Sequence, residues 1–96
     1  MKRIEIIGNR SLEEDLFDRF KKNNVVNHYT KIPLVYGVGT SGPRMGDHTW
    51  PEENFMIIVY CDENEADLIQ KTIEETKQYF KDEGLKMFET ELICSL

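Results

Sequence analysis

The residues best suited to chemistry lie together in one stretch, residues 37–54. It holds four of the six glycines and two of the three prolines. Because glycine adopts unusual dihedral angles and proline removes a backbone donor, regular structure is not expected there. An irregular connection of this length in a small chain is either functional or disordered. Arg44, Asp47, His48 and Trp50 all fall within it, so we interpret the stretch as a functional loop.

The loop opens with the glycine pattern G-x-G-x-x-G at residues 37–42. In dinucleotide-binding proteins a helix N-terminus follows this pattern and holds the phosphates. Pro43 and more loop follow here, so the pattern predicts turns rather than a self-contained phosphate site. Its backbone N–H groups, helped by Arg44, could still bind an anion, and Trp50 either anchors the loop or stacks on a ligand ring. The candidate ligand-binding residues are Gly37, Val38, Gly39, Thr40, Ser41, Arg44 and Trp50.

A second chemistry open to the loop is metal binding. Asp47 and His48 are adjacent, and Glu52 follows closely. Carboxylate oxygens and imidazole nitrogens are ligands for divalent metals, so the candidate metal ligands are His48, Asp47 and Glu52. The spacing is not that of an established metal motif, and the alternative for Asp47 is that its side chain caps a turn.

Composition narrows the classes of function. The 96 residues carry a net charge of -6, with 40% hydrophobic and 31% charged residues, which is typical of one globular domain spanning 1–96. An acidic chain is a poor match for nucleic acid. No apolar run approaches a membrane span and no signal peptide is visible, so we expect a cytoplasmic protein with no membrane insertion. No nucleophile set accompanies Asp47 and His48, so we do not expect an enzyme.

The two cysteines, Cys61 and Cys94, lie in apolar, strand-like runs. They have no metal-motif spacing. We therefore expect both to be buried free thiols.

The chain alternates strand and helix patterns. Residues 2–8 read as a strand, and Ser11 and Glu14 have capping-box spacing before a helix that ends near residue 23. Residues 25–36 favour a strand, which Pro33 restricts to a sheet edge or a bulge. The unbroken apolar run 55–61 predicts a strand covered on both faces, which either lies centrally in the sheet or is covered by a partner subunit. A second helix follows Asp62 or Asn64, Gly84 is expected to end it in a left-handed conformation, and a last strand follows.

This order, β-α-β-β-α-β, predicts a ferredoxin-like α+β fold: a four-stranded antiparallel sheet with both helices on one face. The first and third strands should be central. On the face without helices, Ile7, Met56, Ile58 and Tyr60 would be exposed unless subunits cover them. We therefore expect a homo-oligomer.

The layout resembles the PII signalling proteins and their PII-like relatives. The similarity rests on the Lys-Arg-Ile-Glu-Ile-Ile start, on residues 36–39 leaving the second strand, and on residues 59–63 leaving the third. The resemblance implies a homotrimer that binds a nucleotide in clefts between subunits, with residues 37–39 lining the cleft. The chain departs from PII proteins in its shorter loop, which carries Trp50-Pro51-Glu52-Glu53, and in having no counterpart of their basic C-terminal segment before Leu96.

The leading hypothesis is therefore a PII-like regulatory protein that binds a small anionic ligand or nucleotide between subunits. One alternative is a divalent-metal-binding protein like CutA, which shares the architecture and would use His48, Asp47 and Glu52. The other is a module that binds a protein partner through residues 37–54 and takes no small ligand.

Overall fold

The structure is a computed structural model that describes residues 1–38 and 52–96, with the backbone alone for Glu52. Its elements are β1 (Lys2–Asn9), a short 3-10 helix (Arg10–Leu12), α1 (Glu13–Lys22), β2 (Thr30–Gly37), β3 (Glu52–Cys61), α2 (Glu63–Tyr79) and β4 (Leu85–Glu91).

The four strands form one antiparallel sheet in the order β2-β3-β1-β4. Both central positions are therefore filled by the strands expected there, and the ferredoxin-like α+β fold is confirmed. The edge position of β2 accommodates Pro33, and the pairing of β2 with β3 shifts register between Ile32 and Val35. Both an edge strand and an irregularity at Pro33 are thus observed.

The hydrophobic core lies between the sheet and the two helices. Alternate residues of the central strands point into it, because successive side chains in a strand face opposite sides. Gly8 is required at the end of β1, since a Cβ there would come within 2.9 Å of Cζ of Phe55, which lies opposite it on β3. The buried apolar side chains are Ile4, Ile6, Leu12, Leu16, Phe20, Val25, Val26, Phe55, Ile57, Val59, Cys61, Ala66, Ile69, Ile73 and Leu85.

The other side of the sheet, which we call the open face, is not covered by α1 or α2. Ile7, Met56 and Ile58 are partly exposed there, and Tyr60 is 49% exposed. The expected position of these four residues is confirmed. Within residues 1–38 and 52–96, no helix is both long and apolar enough to cross a membrane.

Two of the predicted helix ends are wrong. Ser11 and Glu14 do not form a capping box: the N-cap of α1 is Leu12, and the Ser11 hydroxyl donates instead to Glu83 at 3.0 Å. Gly84 does not adopt a positive φ. Helix α2 ends at Tyr79, where the Phe80 N–H donates to the Thr76 carbonyl at 3.0 Å, so no left-handed glycine is needed.

Of the two candidate caps for α2, the structure selects Asp62. Its Oδ1 accepts a hydrogen bond from the backbone N–H of Glu65 at 2.8 Å. This is the bond by which an N-cap side chain satisfies a donor in the first turn.

Candidate functional site

The loop predicted to carry the chemistry joins two neighbouring strands at one end of the sheet. Gly37, the last residue of β2, lies opposite Glu52, the first residue of β3. The chain therefore leaves the sheet and returns to it at adjacent points. Val38, just beyond the strand, is 75% exposed. Gly37 and Val38, two of the predicted ligand-binding residues, are thus placed at an accessible edge of the sheet.

Gly37 packs closely against Asn54. A Cβ at position 37 would lie 3.3 Å from Nδ2 of Asn54, tighter than an ordinary contact. Asn54 is only 8% exposed although its side chain is polar. Because a well-packed polar side chain has little freedom to move, a larger residue at position 37 would displace Asn54 or shift the start of the loop.

The end of β1 brings a cation to the same place. Arg10, in the 3-10 helix, contacts Oε1 of Glu53 through Nη1 at 3.2 Å. Both side chains are about half exposed (53% and 55%), so the pair stabilises the fold by little, in the range of about 0–1 kcal/mol. The pair matters for position, because it holds the Arg10 guanidinium next to Glu53, at the start of β3.

The connection between α2 and β4 also reaches this end. The Asn9 N–H donates to the Gly84 carbonyl at 2.9 Å, and the Ser11 hydroxyl donates to Oε2 of Glu83 at 3.0 Å. Three connections of the fold therefore meet at one end of the sheet: the loop between β2 and β3, the 3-10 helix, and residues 80–84. The hydrogen bonds and the ion pair among these residues hold the connections together at this end.

The remaining predicted site residues lie outside the described part of the chain. These are Gly39, Thr40, Ser41, Arg44, Trp50, Asp47 and His48, together with the side chain of Glu52. Their roles in anion or metal binding stay predictions. Within the described residues, no three histidine, cysteine, aspartate or glutamate side chains are grouped so as to hold a metal ion.

Sequence reasoning missed the contact of Gly37 with Asn54 and the presence of Arg10 and Glu83 at this end of the sheet. Arg10 and Glu83 are far from the loop in the chain, and none of the three belongs to a recognised motif. A signal was nevertheless present in the topology. In an antiparallel sheet of this order, β1 and β2 end where β3 and β4 begin, so the residues at those four points are brought together.

The fold and this site define a class: a ferredoxin-like α+β protein with a glycine-rich loop between its second and third strands. The chain belongs to the P-II family, because the family model of nitrogen regulatory protein P-II matches residues 1–93. The match includes the loop and every strand and helix. A comparison with curated protein sequences finds no match.

Solved structures of PII-like proteins share the fold. A PII-like signalling protein of Thermus thermophilus is 24% identical with a TM-score of 0.63, over 93% of this chain and 83% of that one. CPII, a nitrogen regulatory PII-like protein of Thiomonas intermedia bound to ADP, AMP and bicarbonate, is 19% identical with a TM-score of 0.61, over 99% and 94%. The structure of CPII bound to ADP and bicarbonate is 22% identical with a TM-score of 0.58, over 95% of this chain and 86% of that one.

Proposed function

We propose that this chain is a regulatory protein that binds a small anionic ligand in the clefts between the subunits of a homotrimer. The observation that carries the proposal is the P-II family match over residues 1–93, which includes the loop and both strands beside it. The ligands in the CPII structures, ADP, AMP and bicarbonate, are all anions. An adenine nucleotide and bicarbonate are therefore the first candidates for this chain.

In this proposal the end of the sheet at Gly37 forms one wall of the cleft. Asn54 lies so close to Gly37 that a larger side chain at position 37 would crowd it. The exposed Val38 is the first residue of the segment that faces the ligand. The backbone N–H groups of residues 39–41 hold the anion, because successive N–H groups in turns form an anion-binding concavity. Arg44 pairs with the anion and Trp50 packs the loop.

The open face supports the oligomeric part of the proposal. It carries partly exposed apolar side chains on both central strands, and other subunits would remove them from water. The whole chain, 1–96, then acts as one domain. It regulates by binding rather than by catalysis, and its cytoplasmic location stays a prediction.

Isothermal titration calorimetry with ADP, AMP and bicarbonate tests the ligand. Wild type should bind at least one of them. Arg44→Ala should weaken binding about 10- to 100-fold, because a charge-assisted hydrogen bond contributes about 1.5–3 kcal/mol. The matched control is Arg19→Ala on α1, which makes the same change in charge at a side chain that contacts Asp15 and Tyr79.

Two results would contradict the proposal. Wild type that binds none of the three ligands would exclude this ligand class. Equal affinities for Arg44→Ala and Arg19→Ala would leave ligand binding intact but remove the proposed role of Arg44.

A further inference from the structure

The open face has a hollow at its β2 edge. Strand β2 begins at Thr30, opposite Ile58, whereas β3 continues to Cys61. The side of β3 at Tyr60 therefore has no β2 residue paired with it. The resulting hollow has a volume of about 300 Å³. It is lined by His28, Tyr29, Thr30, Ile58 and Tyr60.

The opposite edge of the same face carries an aromatic side chain. Phe88 lies on β4, whose Leu85 and Met87 face the core, so Phe88 points to the open face. It pairs with Glu5 of β1 and is 51% exposed. Exposing a phenylalanine ring is unfavourable, because apolar surface is more stable when it is removed from water.

The hollow and Phe88 lie at the same height along the strands. The registers place Thr30 opposite Ile58, Ile58 opposite Glu5, and Glu5 opposite Phe88. These four residues form one row across the sheet, perpendicular to the strands. The row spans three strand spacings, roughly 14 Å.

The polar side chains between the two features already have partners. The Arg3 guanidinium contacts Glu5 at 3.1 Å and donates to the Tyr60 hydroxyl at 2.8 Å. The charges in the centre of the open face are therefore paired within one subunit. Covering Arg3 and Glu5 therefore leaves neither of these two charges buried without its partner, which is the costly case.

We propose that Phe88 of one subunit inserts into the hollow at the β2 edge of the next subunit. This contact rests on the homotrimer of the proposed function, and it names the surface that joins the subunits. The contact is head-to-tail, because Phe88 and the hollow are different surfaces on opposite edges of one face. Each subunit then provides one aromatic side chain and one hollow.

The equal height of the two features permits such contacts to close into a ring around an axis parallel to the strands. Rotation about an axis parallel to the strands leaves the height of every residue along that axis unchanged. A head-to-tail contact between features at one height can therefore repeat and return to the first subunit. An offset in height would instead produce an open helical filament.

Molar mass by light scattering tests the contact in the full chain. Phe88→Glu should lower the mass from that of a trimer to that of a monomer, with an unchanged circular dichroism spectrum. The control is Tyr79→Glu, which puts the same charge in place of an aromatic ring that is 75% exposed on α2. It should remain trimeric.

Disulfide trapping tests the direction of the contact. Phe88→Cys and Thr30→Cys are made in separate chains that also carry Cys94→Ser, unfolded together in urea, refolded as a mixture and then oxidised with diamide. A covalent dimer should form in the mixture, and neither chain alone should give one.

The outcomes separate this inference from the proposed function. A trimeric Phe88→Glu variant, or no covalent dimer in the mixture, would overturn the Phe88 contact while a trimer that binds nucleotide still stood. A monomeric wild-type protein would overturn both the contact and the proposed trimer.

Discussion

Cys61 lies at the end of β3, with only 6% of its surface exposed. Burial raises the pKa of its thiol to about 11, and the carboxylates of Glu65 and Asp62 act in the same direction. Both effects disfavour the thiolate, which is the reactive form of cysteine. Cys94 is exposed beyond the end of β4. The two thiols should therefore differ strongly in reactivity.

Iodoacetamide at pH 8 should modify Cys94 in the folded protein and leave Cys61 intact. A thiol with a pKa of about 11 has roughly a hundredfold less thiolate at this pH than one with the ordinary value of 9.0. Raising the pH towards 11 should speed modification of Cys61, and unfolding should expose it fully. Intact mass spectrometry measures the modification, with Cys94→Ser as the control. Equal rates for both thiols at pH 8 would contradict this assignment.

The two cysteines show what sequence can predict for single residues. Burial of Cys61 was predicted correctly, because it ends an unbroken apolar run, which is typical of a strand covered on both faces. Burial of Cys94 was wrong, because β4 ends at Glu91 and residue 94 lies beyond the sheet. The alternation of apolar and polar residues predicts which side chains face the core only while the strand continues. The sequence has no clear signal for the end of β4 at Glu91.

The connection between α1 and β2 departs most from its sequence pattern. Asn24 and Val26 have positive φ values of 54° and 58°. A β-branched residue in this region is unfavourable by about 1–3 kcal/mol. The conformation allows Val25 and Val26, 2% and 5% exposed, to enter the core. The predicted start of the second strand at residue 25 is therefore wrong, and β2 begins at Thr30. The β propensity of the two valines suggested a strand, whereas they are core residues in a turn.

A side chain of α2 holds this connection in place. Oε2 of Glu65 accepts a hydrogen bond from the Val26 N–H at 2.9 Å. Val26 is buried, so its N–H has limited access to water. The bond links the first turn of α2 to the left-handed part of the connection.

Glu65→Ala should lower the free energy of unfolding by about 1–3 kcal/mol, because it leaves the buried Val26 N–H without its acceptor. Glu65→Gln should cost less, since its amide oxygen can still accept the bond. Urea unfolding measures the change. Glu74→Ala, at an exposed position further along α2, is the matched control. Equal losses for Glu65→Ala and Glu74→Ala would show that the bond contributes nothing measurable.

At the scale of the whole molecule, the topology does more than the motifs to define the site. The order of strands and helices could be predicted from hydrophobic periodicity, and it dictated which strands are central. Arg10 and Glu83 could not be predicted from motifs at this end, because only the pairing of the strands brings them there. The glycine pattern that begins at residue 37 marks one end of the sheet, and the site proposed there stays a prediction.

The same topology gives the two sides of the sheet different roles in the proposal. The side covered by α1 and α2 contains the core and stabilises the subunit. The open face, with Phe88 at one edge and the hollow at the other, joins subunits. In the proposal, the clefts between subunits use the loop end of one subunit, so ligand binding should require assembly.

Native mass spectrometry of the full chain with ADP measures subunit number and bound ligand in one spectrum. We expect a trimer that carries up to three ADP molecules, one for each cleft. A monomer, or a trimer whose mass does not change with ADP, AMP or bicarbonate, would contradict this expectation.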